Sequence, residues 1–187
     1  ARALGGPVTL VHRLDRETSG VTVLARTGAA ARALSDAFRD GRPAKAYLAL
    51  CARAPSPAEG RLEAALGRDA RHPGRRAVRP DGEPAATRWR TLAVGPGGVA
   101  LVEATPETGR THQIRAHLAH LGAPVLGDAR YGGPRRVGDL AVPRVMLHAR
   151  RLEVDHPATG LPLSLEAAAP ADFQELCRAL LGGPPAP

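Results

Sequence analysis

Residues that interrupt regular structure recur through this chain and imply many turns and loops: 21 glycines and 18 prolines are spread through 187 residues. Short elements joined by tight turns follow. Between the interruptions lie apolar runs, the clearest being Ala46-Tyr47-Leu48-Ala49-Leu50-Cys51-Ala52, and 43% of the residues are hydrophobic. Such a chain can bury a core, which argues against disorder, and its length fits one domain over residues 1–187. No apolar run approaches the roughly 18 to 20 residues of a membrane span, and the first residues lack the pattern of a signal peptide. The two cysteines, Cys51 and Cys177, stand outside any CxxC pair and support neither a disulfide framework nor a thiolate zinc site. A reducing, cytoplasmic setting is expected.

The apolar pattern divides the chain into alternating elements. Thr9 to Arg13 and Gly20 to Arg26 carry β-branched residues and read as strands on either side of the loop Leu14 to Ser19. From Gly28 to Asp40 the residues Ala30, Ala33, Leu34, Ala37 and Phe38 recur at helical spacing, with Gly41 as a stop. Ala44 to Arg53 reads as a buried strand. Gly67 to Pro84 is poor in apolar residues and reads as a loop or extended hairpin. Thr87 to Val94 and Val99 to Thr105 should pair as a hairpin around the turn Gly95-Pro96-Gly97-Gly98. Thr111 to Leu121 predicts a helix that Thr111 caps and Gly122 ends. Strands near Val145 to Val154 and Leu161 to Glu166 precede a closing helix from about Ala171 to Leu181. Strands outnumber helices and short turns join them, which predicts an α+β domain on an antiparallel or mixed sheet.

Charge narrows the class of partner. The formal net charge is +8, and 25 of the 26 basic residues are arginine, Lys45 being the one lysine. Guanidinium forks match phosphate, and counterion release drives binding to a polyanion. The densest basic segment holds Arg68, Arg71, Arg75, Arg76 and Arg79. A merely soluble basic protein would share the charge, and charge alone separates the two readings poorly.

Three places carry polar residues that folding alone does not require. The loop His12-Arg13-Leu14-Asp15-Arg16-Glu17-Thr18-Ser19-Gly20 lies between apolar strands, where catalytic residues gather on a rigid frame. Arg13 and Arg16 beside Asp15 favour its anion, the form a nucleophile or base needs, although Asp15 and Thr18 would also make an ordinary hydrogen-bonded turn. Arg110, His112 and Arg115 cluster where a glycine turn enters a helix, a place suited to an anion and equally to a solvated face. Tyr47 puts an aromatic ring with a polar tip into an apolar strand, either to stack on one base or as a core tyrosine. With two Tyr, two Phe and one Trp in all, a surface of several stacking aromatics is not expected.

Metal and nucleotide chemistry find little support. His112, His117 and His120 do not form an HExxH pattern, and no carboxylate lies between Glu107 and Asp128 to join them. No metal is expected. GxGxxG, Walker and GxSxG motifs are absent from the sequence, so dinucleotide, ATP and α/β-hydrolase chemistry have no warrant.

Together these segments resemble the pseudouridine synthases of the RluA, RluC and RluD type. HRLDRETSG at His12 to Gly20 is similar to that family's HRLDxxTSG signature, and GRTHQIRAHLAHLGAPVLGDARYGG from Gly109 to Gly133 to its second long motif. KAYLAL, ARHPGRRAV with the later AAT, and MLHARRLEVDHPATG resemble its tyrosine strand, basic hairpin and C-terminal strand, in the family's order. The resemblance implies that Asp15 is the catalytic aspartate, that Tyr47 stacks on the base and assists proton transfer, that Arg115 pairs with Asp15 and that Arg13 helps displace the base. It implies isomerisation of a uridine in RNA without cofactor or metal; ribosomal RNA is expected ahead of transfer RNA, and the chain is expected to be a monomer. Arg68, Arg71, Arg75, Arg76, Arg110 and His112 are the expected RNA contacts. Family members carry an upstream strand and a lysine-proline loop before HRLD, often with an S4 domain before that, so a missing N-terminal part is expected.

Overall fold

The computed structural model describes residues 6–183; the outermost residues of the expected domain, 1–5 and 184–187, lie outside the described residues. In chain order the elements are β1 (Thr9–Leu10), β2 (Ser19–Gly20), β3 (Leu24–Ala25), α1 (Gly28–Arg39), β4 (Ala44–Cys51), β5 (Glu59–Glu63), β6 (Leu66–Arg68) and β7 (Arg76–Val78). There follow β8 (Ala86–Val94), β9 (Ala100–Pro106), α2 (Gln113–His120), a single 3₁₀ turn at Ala129–Tyr131, β10 (Arg136–Val137), β11 (Leu140–Ala141), β12 (Leu147–Asp155), β13 (Pro162–Glu166) and α3 (Ala171–Leu181). The architecture is α+β. Its main sheet runs β13-β12-β4-β9-β8-β5 with antiparallel neighbours, and β2 joins β12 in parallel, so the sheet is mixed.

The apolar run of the sequence becomes the middle of that sheet. Leu48, Ala49, Leu50 and Cys51 of β4 are buried between β12 and β9, and α2 and α3 add Ile114, Leu118, Phe173 and Leu176 to the same core. Both cysteines are free and buried, and burial pushes the Cys177 thiol up to about 12. A second cluster forms where the apolar face of α1 (Leu34, with Ala30 and Phe38) meets Val11, Ala25 and Val154. The Thr27 hydroxyl accepts the Ala30 N–H and starts this helix. A third cluster sets the base of the β6–β7 hairpin, through Leu66, against Ala116 and Tyr131.

One register arrangement brings the polar loop to the sheet. Ala149 of β12 pairs with Tyr47 of β4 on one side and with Gly20 of β2 on the other, so the loop ending at Gly20 is fixed one strand away from Tyr47. Gly20 has φ +122°, and a Cβ there would lie 2.2 Å from the Ala149 carbonyl oxygen. Only glycine fits so close an approach. The Ser19 hydroxyl and the His148 Nδ1, 3.0 Å apart, tie the same junction down. No helix among the described residues is long and apolar enough to cross a membrane.

Several expectations need correction. The strands expected at Thr9 to Arg13 and Gly20 to Arg26 shrink to two-residue pairings, because the loop between them leaves for the cleft. Thr111 does not cap α2. The residue before the helix is His112, left-handed at φ 57°, and no side chain caps the helix start from that position. Gln113 holds the turn instead: its carbonyl oxygen accepts from the Arg110 N–H and the Thr108 hydroxyl, and its amide donates to the Ala86 carbonyl and Thr87 hydroxyl.

Candidate active site

The polar loop, β4 and the start of α2 enclose a cleft of about 350 Å3, lined among others by Arg13, Asp15, Lys45, Tyr47, His112 and Arg115. Three segments separated by more than twenty residues thus converge, and each arrives for a local reason. Gly20 pins the loop, β4 carries Tyr47 between the small residues Ala104 and Ala149, and α2 carries Arg115 in its first turn.

Asp15 meets one cation closely. Its Oδ2 accepts from Nη1 of Arg115 at 3.0 Å, and His112 Nε2 lies 3.9 Å away. Arg115 in turn donates Nε and Nη2 to the two oxygens of Asp128 at 2.6 and 2.8 Å. The Arg115 side chain is 8% exposed and that of Asp128 1%, against 22% for Asp15, so the buried pair forms a fixed base and the outermost nitrogen is aimed at the more open carboxylate. A charge-assisted bond of this kind favours the carboxylate anion. At about 4 Å such a pair is worth about 1 kcal/mol in bulk water and about 4 in the intermediate dielectric of a protein surface, so the walls of the cleft matter.

Neither neighbouring arginine does this. Arg13 and Arg16 make no ion pair with Asp15; Arg13 is exposed and lines the cleft, while Arg16 points to a different cavity. The cation comes from a hundred residues further along the chain.

A second ring supports the first. Tyr131 packs its ring under the guanidinium of Arg115, 5.1 Å from the centroid, and its hydroxyl lies 3.0 Å from His112 Nδ1 while accepting the Arg76 N–H at 2.8 Å. Sequence reasoning missed both Asp128 and Tyr131. The one signal for them is the GDARYGG segment, where Asp128 is the nearest carboxylate after α2.

Burial sets the protons of the other groups. The Tyr47 hydroxyl is pushed up to about 12, first by burial and then by the negative charge of Asp15, so it carries its proton at neutral pH. Burial also lowers His112, and lowers Lys45 below the ordinary lysine range. His12 is driven down to about 4 by burial, with Lys45 adding to it. Its Nε2 accepts the Val23 N–H at 2.8 Å, and its ring stacks on Phe38 with centroids 4.4 Å apart. The protonated ring cannot accept that bond. An unfolded chain binds the proton from about pH 6.5 and the folded chain only near 4, so the stability held above pH 6.5 is lost as the pH falls through 4. Urea melts at pH 7 and pH 5 should show this loss, and His12→Asn should reduce it; an unchanged difference would show that His12 does not carry it.

The remaining expected contacts fall into two groups. Arg68 and Arg71 are exposed on the β6–β7 hairpin, and Arg75 is half-buried over the Tyr131 ring and 3.4 Å from Asp69. Arg76 is half-buried and gives its backbone N–H to Tyr131. Arg110 lines the cleft, but its guanidinium is engaged by Glu83 at 2.9 Å and the Pro84 carbonyl at 3.0 Å. His117 points away from any cluster: Nδ1 meets the Thr87 hydroxyl at 2.8 Å and Nε2 the Ala64 carbonyl at 2.9 Å.

Comparison with known proteins points to one family. The model of the RNA pseudouridylate synthase family matches residues 2–120. The dual-specificity RNA pseudouridine synthase RluA of Escherichia coli strain K12 is 42% identical over 164 residues, which cover 87% of this chain and 73% of that protein. A protein of Chloroflexus aurantiacus described as an uncharacterized RNA pseudouridine synthase is 47% identical over 180 residues, 95% of this chain and 56% of its own length. The chain therefore spans little more than half of that relative. Among solved structures, human RNA pseudouridylate synthase domain containing 4 superposes with a TM-score of 0.79 at 30% identity, covering 95% of this chain and 79% of that one. The chain belongs to the RNA pseudouridine synthase family, as the HRLD and GRTHQIR motifs implied.

Proposed function

We propose that this chain acts as one catalytic domain that isomerises uridine in RNA to pseudouridine, with Asp15 as the attacking carboxylate. The observation that carries this reading is the 3.0 Å contact between Asp15 and Arg115 inside a cleft that Tyr47 also lines. Family membership supports it.

The chemistry follows from the groups present. Asp15 attacks the sugar of an extruded uridine, the N1–C1′ bond breaks, and the uracil turns within the cleft. C5 then bonds to C1′, N1 takes up a proton and C5 loses one. The product is an isomer of the substrate, so nothing is consumed. Tyr47, which keeps its proton, offers a ring face for stacking and an O–H donor. The Asp15 carboxylate, free again once C1′ is released, is an anionic acceptor for the C5 proton. Arg115 needs no rearrangement during these steps, since Asp128 already fixes it. Arg13, which is exposed and lines the cleft, fills the stack that the base leaves.

The substrate is RNA, with ribosomal RNA preferred over transfer RNA, and the working form is a monomer in the cytoplasm. The arginines of the β6–β7 hairpin supply backbone contacts. The test is release of tritium from RNA transcribed with 5-tritiated uridine, run on ribosomal and transfer RNA transcripts. Release confirms isomerase chemistry; RNA binding with steep salt dependence and no release would identify a binding factor that keeps the fold.

A further inference from the structure

Behind the wall formed by His112 and Arg115 lies a second cavity of about 530 Å3, bounded by the polar loop and by the turn that follows α2. Its lining includes Arg16, Arg130 and Arg135 beside Arg115, and two carboxylates, Glu17 and Asp128. Asp128 is already paired with Arg115. Arg130 is held by the carbonyl of Gly74 on the β6–β7 hairpin. Arg16 and Arg135 are exposed, and their guanidiniums have neither a hydrogen-bond partner nor an ion-pair partner among the described residues. Arg61 and Arg88 share Glu107, Arg79 meets Asp81 and Arg144 meets Asp172, whereas exposed arginines such as Arg32 and Arg178 are also unpaired among the described residues, so it is the shared cavity that sets Arg16 and Arg135 apart.

We infer that this second cavity binds a phosphodiester group of the RNA strand next to the target uridine, with Arg16 and Arg135 as its ligands. The inference rests on the isomerase reading above and adds a binding site to it. A nucleotide has its base on one side of the sugar and its phosphates on the other. The first cleft, with Tyr47, Ile114 and Leu147 in its walls, suits the base. His112 and Arg115 line both cavities and flank Asp15, so a ribose at Asp15 stands at their junction. The phosphate side of that ribose then faces the chamber where guanidiniums outnumber carboxylates. Guanidinium forks bind phosphate oxygens two at a time, and Arg16 directly follows Asp15, so a clamp there holds the flipped strand in register with the attacking oxygen.

The experiment uses the whole chain, a single-stranded oligouridylate as probe and the double variant Arg16→Gln/Arg135→Gln. Each phosphate contact on a single strand contributes about 0.7 to the slope of log affinity against log salt. The variant should therefore lower the slope by about 1.4. Arg32→Gln/Arg178→Gln, which removes two exposed arginines outside the cavity, should leave it unchanged. A wild-type slope in the first variant, an equal fall in the second, or no binding of the probe by the wild-type chain would overturn the inference. Tritium release by the wild-type chain is read separately. Its absence would overturn the isomerase reading alone, and an unchanged slope alongside normal release would overturn only the clamp.

Discussion

Asp15→Asn is expected to abolish tritium release, by about 10⁴-fold or more, on the scale that loss of an enzyme's nucleophile produces. RNA affinity should stay within a few-fold. The reason for expecting a folded, RNA-binding variant lies in how the charges are stacked. Arg115 keeps its two bonds to Asp128 when Asp15 becomes an amide, so no buried cation is orphaned, and the Asp15 carbonyl still accepts the Thr18 N–H within the loop. The amide is close in shape to the carboxylate but is a poor nucleophile. Release at the wild-type rate by this variant would remove Asp15 from its role.

Asp128→Asn should act on stability first. Asp128 is 1% exposed and makes both bonds that fix Arg115. Breaking a buried pair by removing one partner costs about 3 to 5 kcal/mol when the other charge is left without compensation, and because Asp15 still meets Arg115 the lower end of that range is expected. For a domain of this size that lowers the melting temperature by about 10 °C. Activity should fall with it, since a guanidinium freed from Asp128 turns towards Asp15 and draws it from the cleft. The double variant Asp128→Asn/Arg115→Met removes the stranded charge and should recover part of the lost stability while remaining inactive. A melting temperature for Asp128→Asn within a degree or two of the wild type would show that the pair does not anchor the site.

Local signals in the sequence were enough for most elements but not for the site's central contact. The helix α3 matches its expected span, α1 ends one residue early, and β8 and β9 pair as the turn chemistry between them required. Those elements carry their own periodicity and punctuation. β5 does not. Its residues Glu59 to Glu63 contain one apolar side chain, Leu62, and the strand exists because it pairs with β8. β2 is two residues long and owes its place to Ala149, far away in the chain. The left-handed His112 is likewise imposed from outside, by the grip of Gln113 on Ala86 and Thr87 of β8.

The site shows the same division. Asp15 and Tyr47 stand out because a charged loop and a polar-tipped ring interrupt apolar surroundings. The partner of Asp15 does not, since proximity along the chain points to Arg13 and Arg16 while the fold supplies Arg115. That pairing was legible only through resemblance to the family's motifs. Asp128 and Tyr131 sit inside a motif that was visible, but their work is to hold Arg115, which shows only when the turn after α2 folds back beneath it.

Following the label itself tests the chemistry at Asp15 most directly. RNA transcribed with carbon-labelled uracil in its uridines is incubated with the wild-type chain and digested to nucleosides, and the label is located by chromatography. If Asp15 and its enclosing groups carry out an intramolecular exchange of the N1–C1′ bond for a C5–C1′ bond, label moves from uridine to pseudouridine and none is found as free uracil. Label that remains wholly in uridine, or that is released as uracil, would contradict that chemistry.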